Sequence, residues 1–190
     1  TDSLSFYGPA SLGGSIYFSK TSTDSKLQYA KIENLGRSIS AYDAALYIDE
    51  DAAVTVTNCR FQNNGQAVRA HPESVGDFSN NSLSTIFLLA DTIKKNTTWP
   101  KASDNIVYEL LNDIIVKEGS TLTIEPGTNI YINYYTKDLV INGTLQAIGT
   151  STDSISFYGS IENGGGNIIS KDLSFANRKL SGRRADSFTC

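Results

Sequence analysis

The sequence predicts an all-β solenoid of short strands, in which each coil of the chain stacks on the coils above and below it. Three observations predict this fold. Apolar residues alternate at period two in many short runs, one segment recurs about 150 residues later, and no window carries the apolar stripe of an amphipathic helix. Strands this short do not suit a sandwich, whose two broad sheets must enclose a core.

The recurring segment is the octapeptide at residues 1–8, which returns at residues 152–159 with one Leu-to-Ile change. The ungapped match ends with residues 19–20 against residues 170–171. Self-similarity at a fixed spacing is the signature of a repeat architecture. We therefore expect the chain to begin inside one copy of a repeat and to run into the next copy.

Alternation of apolar and polar residues indicates the individual strands. In the first half they are predicted at residues 4–7, 27–32, 46–48 and 54–56. In the second half they are predicted at residues 114–116, 122–124, 130–132, 139–141, 145–147 and 155–158. The run at residues 108–111 allows at most one turn of helix. Thr, Tyr, Ile and Val dominate these runs, as the packing of strands favours.

The inward side chains of these strands are expected to form the core. The predicted core residues are Phe6, Val54, Val56, Leu122, Ile124, Leu139, Ile141, Leu145 and Phe157. Cys59 falls in phase with the apolar positions of its coil, so a buried, unpaired thiol is expected there. Asn58, Asn63 and Asn64 follow strand ends and are expected to form bends, as are Asn80 and Asn81, because asparagine bonds nearby backbone and tolerates a positive φ.

Residues 113–128, with the run Leu-Thr-Ile-Glu-Pro-Gly-Thr, and residues 139–150 resemble the opening coils of a right-handed parallel β-helix. Large secreted bacterial surface proteins, including adhesin-like ones, carry similar runs. Residues 27–33 and 54–64 resemble the later coils of the same family. The resemblance covers residues 1–92 and 106–176, and it implies a fold rather than an activity, because such solenoids carry adhesins, carbohydrate-active enzymes and spacers alike.

The family's coil order predicts four segments. Residues 1–92 are the later coils of one repeat, residues 93–105 a junction, residues 106–176 the opening coils of the next repeat, and residues 177–190 a disordered or non-native tail. The junction either continues one solenoid or links two half-units. Because uncapped coil ends expose unpaired backbone, stacking of ends or swapping of half-units into a homo-oligomer is expected.

Composition excludes several classes of partner. The chain has 190 residues and a formal net charge of −4, which gives no electrostatic attraction to nucleic acid. No apolar run approaches the length of about 20 residues that a membrane span needs. We therefore expect no nucleic-acid partner and no membrane span, with any export signal lying outside this sequence.

Few residues suggest catalysis or metal binding. His71 lies in a predicted exposed loop. Because it is the single histidine, multi-histidine metal sites are excluded. Asp49, Glu50 and Asp51 are contiguous carboxylates that offer oxygens to Ca²⁺, but without the spacing of a known calcium loop. No catalytic residue and no cofactor are predicted, and calcium at this acidic turn is the weaker alternative to a solvated turn.

Aromatic residues are the strongest functional signal. The chain has ten tyrosines and one tryptophan. Tyr131, Tyr134 and Tyr135 cluster in one coil and Trp99 lies in the junction, so these four are the candidate glycan-binding residues.

We therefore predict a non-enzymatic extracellular or cell-surface module that acts as a structural or adhesive segment and binds carbohydrate through surface aromatics. The alternative is a carbohydrate-active enzyme of the polysaccharide lyase or hydrolase type, which needs a groove of carboxylates and basic residues. A third reading, ice binding, needs a regular threonine ladder, and the sequence holds only two Thr-x-Thr pairs, at residues 55–57 and 121–123.

Overall fold

The computed structural model describes residues 4–8, 14–36, 43–103, 106–160, 162, 164–170 and 188–189. Within these ranges the chain forms strands, turns and bends but no helix. The strands stack in parallel as a β-solenoid of about six turns, which confirms the predicted all-β class.

The described residues form twenty strands of two to four residues each. They are β1 Ser5–Tyr7, β2 Ile16–Phe18, β3 Ser25–Gln28, β4 Lys31–Glu33, β5 Leu46–Ile48, β6 Val54–Thr57, β7 Arg60–Gln62, β8 Val68–Ala70, β9 Thr85–Leu88, β10 Asp91–Ile93, β11 Thr97–Trp99, β12 Val107–Leu110, β13 Ile114–Val116, β14 Thr121–Ile124, β15 Asn129–Ile132, β16 Leu139–Ile141, β17 Thr144–Ala147, β18 Ser156–Gly159, β19 Ile168–Ser170 and β20 Phe188–Thr189.

One sheet runs the length of the stack and is called here the long sheet. Its order is β2-β5-β8-β9-β12-β15-β18-β20, with every pair parallel except β18–β20. The remaining strands form shorter sheets in the orders β1-β4-β7, β3-β6, β10-β13-β16-β19 and β11-β14-β17. β9 pairs with β12, β10 with β13 and β11 with β14, so strands that precede residue 100 stack directly on strands that follow residue 106.

The inward side chains form one continuous core. Six of the nine predicted core residues are buried, namely Val54, Val56, Leu122, Ile124, Leu139 and Ile141. Phe6, Leu145 and Phe157 pack against this core but are half-buried, because β1, β17 and β18 lie near the ends of the described stack.

Two predictions of secondary structure need correction. The single strand predicted at residues 27–32 is two strands, β3 and β4, because the chain turns a corner at Tyr29, whose φ is 52°. The run at residues 108–111 is not a helical turn, since β12 occupies residues 107–110 and pairs with strands on both sides. In both places contacts between coils override the local pattern.

The predicted asparagine bends combine two roles. Asn58, Asn63 and Asn80 take positive φ angles of 52–58° at corners. Asn64 instead connects coils, since its Oδ1 accepts the Leu35 N–H at 3.0 Å and its Nδ2 donates to the Ile32 carbonyl at 3.0 Å.

Asn81 makes a similar connection in the interior. Its Oδ1 accepts the N–H of Cys59 at 2.8 Å, and its Nδ2 donates to the carbonyls of Val56 and Phe78 at 2.7 and 2.8 Å. The Cys59 thiol is unpaired and 3% exposed, and burial raises its pKa. The expected buried thiol at Cys59 is therefore observed.

Trp99 belongs to the core. Its side chain is fully buried, its Nε1 donates to the Pro72 carbonyl at 2.8 Å, and its ring lies 6.1 Å from that of Tyr108. The Tyr108 hydroxyl in turn donates to the Pro100 carbonyl at 2.7 Å, and burial raises the pKa of this tyrosine. The expectation of a glycan-binding Trp99 is therefore corrected, because its ring has no exposed face.

The predicted tail at residues 177–190 lies outside the described residues apart from β20, whose backbone pairs with Ser156 and Phe157. Residues 171–176, the end of the predicted opening coils, also fall outside them.

Candidate functional site

The outward face of the long sheet carries a row of aromatic residues. In each strand of the long sheet from β2 to β18, one residue lies between two inward-facing neighbours and points outward. These outward residues are in direct register on successive coils. The row, called here the aromatic ladder, consists of Tyr17, Tyr47, Arg69, Phe87, Glu109, Tyr131 and Tyr158. With strands about 4.8 Å apart, seven rungs extend over about 29 Å.

A pair of tyrosines forms the first end of the ladder. The ring centroids of Tyr17 and Tyr47 are 5.6 Å apart with an interplanar angle of 39°. The Tyr17 hydroxyl donates to Asp49 Oδ2 at 2.6 Å. This hydrogen bond holds the pKa of the Asp49 carboxyl below its usual value, against a smaller opposing effect of burial. The ring of Tyr17 is therefore held in place although 44% of the residue is exposed.

A second pair forms the other end. The rings of Tyr131 and Tyr158 lie 5.1 Å apart at 36°. The Tyr131 hydroxyl donates to Asn133 Oδ1 at 3.0 Å, and Asn133 Nδ2 donates to Glu109 Oε1 at 3.3 Å. These bonds connect the coils of β15 and β12 and hold the Tyr131 ring in place. Burial raises the pKa of Tyr158, so its hydroxyl is a neutral donor at physiological pH.

The middle of the ladder is more polar. Arg69 donates from Nε to Gln66 Oε1 at 2.6 Å, which holds the guanidinium against the sheet. Phe87 is half-buried and lies in register between Arg69 and Glu109. The face therefore presents apolar rings, a cation and a carboxylate along one line.

The structure divides the four aromatic candidates predicted from the sequence. Tyr131 is a rung of the ladder, and Trp99 is in the core. Tyr134 and Tyr135 are 41% and 70% exposed on the turn after β15, with Lys137 Nζ 4.7 Å from the Tyr134 ring centroid.

Sequence reasoning missed the rungs Tyr17, Tyr47, Phe87 and Tyr158. The signal that could have found them is the recurrence of an aromatic residue between two apolar residues in several strands. That signal becomes a site only when the strands are aligned in register.

The acidic turn does not gather its oxygens around one point. Asp49 accepts from Tyr17, Glu50 pairs with Lys94 at 2.8 Å, and Asp51 pairs with Lys95. Across the described ranges, no group of three or more His, Cys, Asp or Glu residues is placed to hold a metal ion. The three carboxylates thus act separately, each in its own contact.

His71 is buried, in contrast to the exposed loop position expected from the sequence. It is 4% exposed, its Nε2 lies 3.0 Å from Asp91 Oδ2, and its Nδ1 accepts the Glu73 N–H at 3.2 Å. The two nitrogens thus contact the start of β10 and the backbone of the turn after β8. This arrangement gives the histidine a structural role between that turn and the next coil.

Among the described strands, the sheet β11-β14-β17 does not carry a regular threonine ladder. On the sheet β11-β14-β17 the aligned outward residues are Thr98, Thr123 and Gln146. An ice-binding face needs a regular array, and the third rung interrupts it.

Comparison of the chain with protein-family models, with curated proteins and with solved structures gives no match. The part of the chain that the structure describes contains no helix with the length and apolarity needed to cross a membrane. The class defined by the structure itself is a parallel β-solenoid.

Proposed function

We propose that this solenoid is a non-enzymatic structural or adhesive module, at the cell surface or outside the cell, that binds an extended glycan along the aromatic ladder. The observation that carries the proposal is the register of seven outward residues, five of them aromatic, on one parallel run of strands.

The chemistry of the ladder suits a sugar chain. A pyranose ring has an apolar C–H face that packs on an aromatic ring, and a rim of hydroxyls that needs hydrogen-bond partners. The tyrosine pairs at the two ends supply ring faces, while Arg69 and Glu109 supply a donor and an acceptor between them. An extended β-linked glycan advances along its axis by about the height of one coil per sugar, so successive sugars meet successive rungs.

The test measures binding of neutral hexasaccharides to the intact chain by calorimetric titration. Tyr17→Ala and Tyr158→Ala each remove a ring from one end of the ladder, and each is expected to weaken binding by about tenfold. Tyr29→Ala is the matched control, because Tyr29 is 67% exposed but lies at the corner between β3 and β4. Equal losses in all three variants, or no binding to the unaltered chain, would contradict the proposal.

A polysaccharide lyase or hydrolase is the second candidate, favoured by a cavity of about 330 Å³ whose charged lining residues are Asp24, Lys26, Asp51, Glu73 and Lys95. Its carboxylates are largely engaged already, since Asp51 pairs with Lys95 and Glu73 accepts the N–H of Lys95 at 3.1 Å. Release of new reducing ends or unsaturated sugars from the same glycans, lost in Glu73→Gln, would favour the enzyme over the binding module.

A further inference from the structure

A second cavity, of about 460 Å³, opens beside the middle of the aromatic ladder. It lies where the chain approaches the long sheet from β7 and, one coil later, from residues 82–84. Phe87, a rung of the ladder, lines it, and so does Gln66, which holds Arg69. The cavity and the ladder are therefore adjoining surfaces, and the volume falls within the range of about 300–1,000 Å³ of small-molecule sites.

The lining of this cavity combines aromatic rings with uncharged polar groups. None of the residues that line this cavity is charged. Phe61 and Phe87 offer aromatic surface, while Gln62, Gln66, Ser84 and Thr85 offer amides and hydroxyls. An anion or cation would lose hydration here without gaining an opposite charge, whereas a neutral polyhydroxylated ring gains both apolar contact and hydrogen bonds.

Several lining groups are already fixed by contacts with neighbouring residues. Asn64 bonds backbone groups of the preceding coil through both ends of its amide, and Ser82 Oγ accepts the Phe61 N–H at 3.0 Å. Gln66 accepts from Arg69 through Oε1, so its amide nitrogen remains as a donor. A rigid lining of this kind reduces the ordering needed when a ligand binds.

The position of the cavity determines how a sugar in it would be attached. The ladder follows the solenoid axis, and the cavity lies to one side of that line, over the residues that precede β8 and β9. Phe87 both lines the cavity and stands on the ladder, so the two surfaces share a side chain. A sugar in the cavity is thus a side branch of a chain on the ladder.

We propose that this cavity is a subsite for a neutral side-chain sugar, so that the preferred ligand is a branched, uncharged glycan. The inference rests on the proposed function, since it assumes that a main chain lies along the ladder. It assigns to Phe61, Phe87 and Gln62 the recognition of the branch, and to the tyrosine pairs the recognition of the backbone.

The test compares linear and branched oligosaccharides that share one backbone. Each pair has equal backbone lengths: a cello-oligosaccharide with a xyloglucan oligosaccharide, a manno-oligosaccharide with a galactomannan oligosaccharide, and a xylo-oligosaccharide with an arabinoxylan oligosaccharide. The unaltered chain is expected to bind the branched member of at least one pair about tenfold more tightly than the linear member. Ser84→Trp places an indole at the cavity and is expected to abolish that preference while leaving the affinity for the linear probe unchanged.

Ser151→Trp is the matched control, because Ser151 is an exposed turn residue outside the cavity lining. Retention of the branched preference in Ser84→Trp, or equal affinity of the unaltered chain for both members of every pair, overturns the subsite while leaving the ladder intact. Failure of every probe to bind, linear or branched, overturns the proposed function, and the subsite with it.

Discussion

Asn81 is the residue whose loss should most clearly show the cost of leaving buried polar groups without partners. It is 9% exposed and makes three bonds, of which two join coils, from the Cys59 N–H and to the Val56 carbonyl, and one goes to the nearby Phe78 carbonyl. In Asn81→Ala the Cys59 N–H loses its partner in the interior, where water cannot replace it. An unsatisfied buried group costs about 1–3 kcal/mol, so with its weakened acceptors the variant should lose about 2–4 kcal/mol of unfolding free energy.

Asn96 provides the comparison. Its Oδ1 accepts the Thr121 N–H of the next coil at 3.0 Å, the same kind of bond, but Asn96 is exposed. Water can take over that bond in Asn96→Ala, so the expected loss is below about 1 kcal/mol. For a chain of this size each kcal/mol lowers Tm by about 2–4 °C, so Asn81→Ala should lower it by about 4–16 °C.

The assay is urea unfolding followed by the fluorescence of Trp99, the single tryptophan, and by far-ultraviolet circular dichroism. Because Trp99 is fully buried, its emission reports loss of the core near the middle of the stack. Coincidence of the two transitions justifies a two-state free energy. Equal losses of unfolding free energy for the two alanine variants would refute the argument that unsatisfied buried groups dominate the cost in Asn81→Ala.

Three further predictions follow from particular contacts. Native Cys59 should react with a thiol reagent only at the rate of opening of its coil, because burial hides it and raises its pKa, and rapid labelling in folded protein would contradict this. The Asp49 pKa is lowered in the folded state, so the stability that this carboxylate contributes is present above the ordinary carboxyl pKa and is lost as the pH falls through the lower folded value. Tyr17→Phe removes the hydrogen bond and should therefore reduce the decline of Tm with falling pH. An unchanged decline would show that this bond is not responsible. β17 and β19 lie at the edges of their sheets as described, and exposed edge strands can pair with another chain. We therefore expect light scattering to show self-association that increases with protein concentration. A strictly monomeric species at high micromolar concentration would contradict this.

Much of the local structure was accessible from side-chain periodicity. The strands Leu46–Ile48, Ile114–Val116 and Leu139–Ile141 have the predicted bounds, because their apolar residues alternate and strand side chains point to opposite faces in turn. The fold class followed from the same pattern together with the repeat. Neither Tyr29 at its corner nor β12 could be predicted in this way, since both depend on pairing with other coils.

The candidate site was only partly accessible, because register between coils is a long-range property. Tyr131 was identified as a surface aromatic, but its stacking on Tyr158 and its alignment with Tyr17 arise from pairing across residues far apart in the chain. Trp99 carried the same surface expectation and is buried, because nothing in its local sequence says which side of β11 faces the core.

The repeated segment shows where sequence stops being sufficient. The triplets Ser5-Phe6-Tyr7 and Ser156-Phe157-Tyr158 are identical, and both form strands with the phenylalanine packed against the core. Yet β1 pairs with Lys31–Glu33 of a short sheet, whereas β18 pairs with β15 of the long sheet. Period-two alternation specifies strand and inward face, both local properties. Which sheet a strand joins depends on the coil already beside it, and for that reason Tyr158 is a rung of the ladder and Tyr7 is not.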